Sequence, residues 1–163
     1  MDENLLMQMS ALEDEMRGKY LIFLVEKGEY GIEIRYIIEI INVQDITPVP
    51  HTHGYLKGII NLRGTVVPVI DTRLRFGLPE IPYTERTCIV VLSLEEMTIG
   101  LIVDEVLEVA HIKDEGIQPP PKLPNQGGNS FILALGAAQS GVKQLLDIDK
   151  VFDTELHALT TAP

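Results

Sequence analysis

Gly58-Ile59-Ile60-Asn61-Leu62-Arg63-Gly64-Thr65-Val66-Val67-Pro68-Val69-Ile70-Asp71 is nearly all apolar and β-branched. Such a run reads as buried strand, because branched side chains pack well on a pleated surface. It is broken once, at Arg63-Gly64, where a cation and a turn-forming glycine stand together. The stretch therefore predicts a hairpin with Arg63 near its tip. Pro68 in the second strand predicts an edge position or a bulge, since proline cannot donate to a ladder. Arg63 is then either a solvated turn residue or a cation held in place for recognition.

The flanks extend the same pattern. Asp71 to Gly77 reads as one short helix, capped by Asp71 and ended by Gly77. Upstream, Tyr20 to Val25 is a solid apolar run, turned at Lys27-Gly28 and followed by alternating Tyr30, Ile32 and Ile34. Ile37 to Val43 is β-branched, interrupted by Glu39, and closed by Pro48 and Pro50. Before the strands, Leu5, Met9, Leu12 and Met16 recur at helical spacing, with Glu13, Asp14 and Glu15 off the stripe. That helix packs on the body or docks on a partner. A long connector, Pro119 to Asn129, separates the last strands from the rest.

The chain repeats itself. A shift of 69 residues (100 minus 31) lays Gly31-Ile32-Glu33-Ile34 on Gly100-Leu101-Ile102-Val103 and Ile37-Ile38-Glu39-Ile40 on Val106-Leu107-Glu108-Val109. With insertions, Ile46-Thr47-Pro48 falls on Ile117-Gln118-Pro119, and Val69-Ile70-Asp71 on Leu145-Leu146-Asp147. Matching Gly, Glu, Pro and Asp in the same order is more than aliphatic coincidence. Two copies of one small β unit follow, each too small to bury much alone. Packed side by side they leave a groove between them.

Composition narrows the function. The chain has 163 residues, of which 45% are hydrophobic, and a formal net charge of -11. This acidity leaves no basic footprint for nucleic acid or anionic lipid, so protein partners or small ligands are expected. The single cysteine, Cys88, lies in an apolar strand and reads as an inert thiol. One cysteine forms no internal disulfide, and neither a signal peptide nor a membrane span is expected, so a cytoplasmic protein is. No phosphate loop or nucleophile elbow is present. His51 and His53 are the candidate metal ligands, but Pro50 and Gly54 around them predict a loop, and no third ligand has convincing spacing. Glu39 and Glu108, matched in the two copies, either flank the groove or face outward from amphipathic strands. No metal, cofactor or enzyme activity is expected.

Tyr30 to Ile34, Glu39-Ile40, Lys57 to Asp71 and Gly100 to Asp104 together resemble the CheW family of bacterial chemotaxis coupling proteins. The likeness covers residues 18 to 155, and Asn61-Leu62-Arg63-Gly64 in its apolar frame is its most specific part. It implies an all-β fold of two SH3-like five-stranded β barrels side by side, with short helices at the termini and between strands. The expected organisation is a helical extension over 1–19, a two-barrel domain over 20–155 and a tail over 156–163. Within the domain the barrels are expected near 30–85 and 86–155, their first and last strands open to exchange.

The resemblance also implies a scaffold that bridges chemoreceptor cytoplasmic tips to the regulatory domain of a histidine autokinase, CheA. Recruitment to membrane receptor arrays would follow. A related surface-motility pathway is the alternative; an enzyme using His51 and His53 is the distant one. By the likeness, Arg63, Ile37 and Glu39 fall at partner-contact positions of the first barrel, and Val106 and Val109 at receptor-coupling positions of the second. The segment 131–144 departs from the family's usual regular hairpin with an acidic turn.

Overall fold

The computed structural model describes residues 2–50, 54–120 and 131–152. A helix, α1 (Glu3–Met16), precedes the strands. The first copy then supplies β1 (Lys19–Val25), β2 (Gly28–Glu33), β3 (Ile37–Asn42), β4 (Leu56–Leu62), β5 (Thr65–Asp71) and the short helix α2 (Thr72–Arg75). The second supplies β6 (Cys88–Leu94), β7 (Met97–Val103), β8 (Glu105–His111), β9 (Ile117–Gln118), β10 (Ile132–Ala138), β11 (Gly141–Leu146) and α3 (Ile148–Val151).

The strands form two sheets, ordered β8-β1-β2-β11-β10-β9 and β3-β6-β7-β5-β4. The orders are the same once the copies are aligned, because β1, β2, β3, β4 and β5 correspond to β6, β7, β8, β10 and β11. The copies have exchanged their leading hairpins. β1 and β2 sit in the sheet of the second copy, and β6 and β7 in the sheet of the first. A division near residue 86 is therefore not how the strands are shared: Cys88 to Val103 belongs with β3, β4 and β5. What crosses between the barrels is a whole hairpin from each copy.

Burial explains why the two barrels pack together. β1 is apolar on both faces. Tyr20 and Ile22 fill the interior of one barrel with Ala110 and Leu145, while Leu21, Phe23 and Val25 face a second cluster shared by the two sheets. β6 does the same, with Ile89 and Val91 inside the other barrel and Val90, Leu92 and Leu94 in the shared cluster. A hairpin with two apolar faces needs a cover on each, and a single small barrel supplies one.

Each exchanged hairpin joins its host by a parallel pairing, Val69 with Gly100 and Leu145 with Gly31. A Cβ on Gly100 would stand 2.8 Å from Ile89 Cγ2, and one on Gly31 2.9 Å from Leu145 Cδ2. Glycine at these matched positions lets the host strand and the barrel interior close up.

The chain after each edge strand closes the barrel. Beyond β3, Thr47 exchanges two hydrogen bonds with Ile59 of β4, of 2.8 and 2.9 Å. Beyond β8, β9 pairs with β10 in the same way. Each sheet is thereby wrapped into an SH3-like barrel. Pro68 does not mark an edge: β5 is an interior strand, and Pro68 sits one residue before the β7 ladder begins, close to a bulge at Leu56–Gly58 in its partner. Asp71 caps α2 as the sequence predicts, accepting from Arg73 N at 2.9 Å and Leu74 N at 3.4 Å. The segment 132–146 is a hairpin like its counterpart, with a matching bulge at Ile132–Ala134.

Phe23 is fully buried in the shared cluster. Phe23→Ala is expected to cost about 3–5 kcal/mol in chemical denaturation, because the cavity opens where both barrels meet and neither can collapse alone. A cost below about 1 kcal/mol would show that the shared cluster does not hold the barrels together.

Candidate protein-docking surface

Arg63 and Gly64 join β4 to β5 with φ of 54° and 87°. Two positive values in a two-residue loop make a type I′ turn, whose twist matches that of the strands. Arginine is disfavoured in this left-handed conformation, which crowds its Cβ. Two groups hold it there. Asn61 Oδ1 accepts from Gly64 N at 2.8 Å. Arg63 donates from both terminal nitrogens to the two carboxylate oxygens of Glu39, at 2.8 and 2.7 Å. Glu39 lies on β3 and Arg63 follows β4, the two outer strands of their sheet, so the ion pair spans the seam of the first barrel.

The Arg63 side chain is 74% exposed and that of Glu39 22%. The hydrogen bond and charge of Glu39 push the Arg63 pKa further up, so the cation is permanent. A fork-to-fork pair fixes the guanidinium plane as well as its position. The exposed pair itself adds little to stability.

The second barrel shows what the fold needs. Its matching turn is Gln139-Ser140, without a cation, and Glu108, the counterpart of Glu39, is exposed. Its cation is elsewhere. Lys143, which corresponds to Val67, is fully buried and donates to Glu29 Oε2 at 3.0 Å and to Ser140 O at 3.3 Å. The same barrel closes with a cation inside or with one outside at the tip. Arg63 is thus not required for closure.

The edge strands carry the other feature. Ile38 and Ile40 on β3 are 51% and 42% exposed, and Leu107 and Val109 on β8 are 39% and 57% exposed. The shift of 69 residues relates these pairs (107 minus 38, 109 minus 40). Between the pairings Ile37–Leu92 and Glu39–Val91 one residue, Ile38, has no opposite number, and Leu107 is skipped likewise between Glu108–Ile22 and Val106–Phe23. A bulge in each copy therefore lies at an exposed aliphatic residue. Asp104 fixes the start of β8: Arg73 Nη2 donates to it at 2.7 Å and Glu26 N at 2.7 Å.

The sequence-derived residues divide on this geometry. Arg63 and Glu39 are brought together in one ion pair. Val109 is exposed. Ile37 and Val106 are half-buried and pack against the shared cluster, so their neighbours Ile38 and Leu107 carry the outward surface. Ile38 shares its face with Ile40, and Leu107 shares its face with Val109, so two-residue alternation places them outward together. Glu39 and Glu108 lie on edge strands of different sheets. His51 and His53 lie outside the described residues, as does most of the Pro119–Asn129 connector.

Cys88 is half-buried, with Sγ 3.2 Å from Arg86 O, and burial pushes its pKa up, away from the reactive thiolate. Among the described residues no His, Cys, Asp and Glu cluster is placed to hold a metal ion. No helix among them is long and apolar enough to cross a membrane.

A family model described as "CheW-like domain" matches residues 19–156, the span of both barrels. The chain belongs to the CheW-like family. Chemotaxis protein CheW of Klebsiella aerogenes is 34% identical over 151 residues, covering 92% of this chain and 91% of that protein. Chemotaxis protein CheW of Rhizobium meliloti is 34% identical over 139 residues, covering 85% and 90%. The crystal structure of the scaffolding protein TtCheW from Thermoanaerobacter tengcongensis superposes with a TM-score of 0.76 at 29% identity, covering 85% of this chain and 90% of that one. This CheW-like chain therefore has the two-barrel fold that its internal duplication predicts.

In this CheW-like chain, Arg63→Asn is expected to leave the calorimetric melting temperature within about 2 °C or to raise it. Asparagine accepts the left-handed conformation more easily, offsetting the lost ion pair. A fall of many degrees would make the Arg63–Glu39 pair a structural fastener instead.

Proposed function

We propose that this protein couples the cytoplasmic tips of chemoreceptors to the regulatory domain of a CheA-type histidine autokinase. It is a scaffold of a non-enzymatic adaptor family, and it contributes surfaces rather than chemistry. The observations that carry the reading are the exposed Arg63–Glu39 pair beside the outward Ile38 and Ile40 of β3, and the matching outward aliphatics Leu107 and Val109 on β8. Exposed aliphatic side chains on an edge strand suit a receptor helix laid against them, with its apolar face as the anchor. A kinase domain of the same two-barrel fold suits barrel-to-barrel packing, in which a pre-oriented guanidinium adds a charge-assisted contact.

Membership in the CheW-like family and relatives named chemotaxis protein CheW support this role. Localisation follows from the partners: the chain is expected at membrane receptor arrays because the receptors hold it there. Signal transfer is then a shift between kinase conformers whose relative stability the receptor contacts alter.

Co-sedimentation with a receptor cytoplasmic fragment and the kinase tests the reading. Arg63→Glu is expected to fold normally and to abolish the ternary assembly. Full receptor-dependent kinase control by Arg63→Glu protein would reduce Arg63 to a turn residue. Ile38→Asp and Val109→Asp are expected to weaken receptor binding at least about tenfold each. Unchanged binding by both would remove the edge-strand aliphatics from the interface.

A further inference from the structure

α1 is well formed, yet its apolar stripe is uncovered. Asp2 caps its start, accepting from Asn4 N at 3.2 Å, and Gly18, at φ 76°, ends it. Its main packing partner is the single helical turn Ile34–Tyr36. Leu5, Met9 and Leu12 are 48%, 47% and 53% exposed. With Met16 they recur at intervals of four, three and four residues, the spacing of a two-helix seam. A lone helix of this length is marginal in water without a cover for that seam.

We propose that the cover is α1 of a second copy of this chain, packed antiparallel about a twofold axis. Setting Met9 opposite Leu12 also sets Leu5 opposite Met16, so the whole stripe pairs with itself. The same register brings Glu3 beside Arg17, which directly follows the last turn of α1. Arg17 is loosely held by its own helix, 3.9 Å from Asp14 with both side chains well exposed. Asp14 and Glu15 fall opposite Met7 and Leu6 rather than opposite each other.

A parallel pair would stack those acids on their own copies. It would also bring two bodies of net charge -11 side by side. α1 is about 21 Å long, so the antiparallel pair keeps the bodies at opposite ends. Acidity likewise disfavours an anionic membrane as the cover. The inference does not rest on the coupling role, because none of the edge-strand residues takes part.

Sedimentation equilibrium of the full chain, from low micromolar to millimolar concentration, tests it. A monomer–dimer equilibrium is expected, weakened at least about tenfold by Leu12→Glu with the strand circular-dichroism signal unchanged. The register is read in a Cys88→Ser background. Met9→Cys chains mixed with Leu12→Cys chains are expected to cross-link on mild diamide oxidation more than either alone. A chain that stays monomeric throughout overturns the proposal and gives the stripe to another protein. A dimer that Leu12→Glu leaves intact overturns it in favour of a barrel contact. Leu5→Cys chains that link readily to themselves overturn it in favour of a parallel pair.

Discussion

β1 and β6 carry large apolar side chains on both faces, and the rest of the structure follows from the need to cover each face. Tyr20 and Ile22 go into one barrel, Ile89 and Val91 into the other, and Leu21, Phe23, Val90 and Leu92 into the cluster between them. Were each copy to keep its own hairpin, the same apolar faces would still need a second layer. Exchange makes the two barrels one cooperative body with a continuous core. It also makes β3 and β8 the outer strands of the two sheets, where side chains facing away from the barrels meet solvent.

The candidate docking surface is a consequence of that arrangement. Ile38 and Ile40 on β3 and Leu107 and Val109 on β8 face solvent, while Ile37 and Val106 beside them pack inward, and a bulge lies at Ile38 and at Leu107. Arg63 reaches across the seam of the first barrel because the hairpin tip stands beside β3. The second barrel has the same seam, and there the cation lies inside as Lys143. Duplication supplied one frame twice; divergence placed a fixed surface cation on one copy alone.

Much of this was legible in the chain. The duplication, the hairpin around Arg63, the Asp71 cap and the all-β class follow from period-two patterning, turn residues and matched Gly, Glu, Pro and Asp. Arg63 was legible because a charge interrupts an apolar run at a turn. Ile38 and Leu107 were not, since Ile37-Ile38 and Val106-Leu107 put aliphatic residues on both faces and the sequence does not say which face is covered. Of the edge and the bulge that Pro68 predicts, the structure has no edge but a bulge close by at Leu56–Gly58, and Pro68 is tolerated inside the sheet because the β7 ladder begins one residue later.

Local chemistry thus determined which segments are strands, where they turn and which residues cap or break them, because propensity and sterics act within a few residues. Tertiary structure alone decided that the hairpins change places and that Ile37 and Val106 point inward. It also decided that Arg63 finds Glu39. Those outcomes depend on which faces cover one another across the whole chain, and burial is settled only when the two barrels meet.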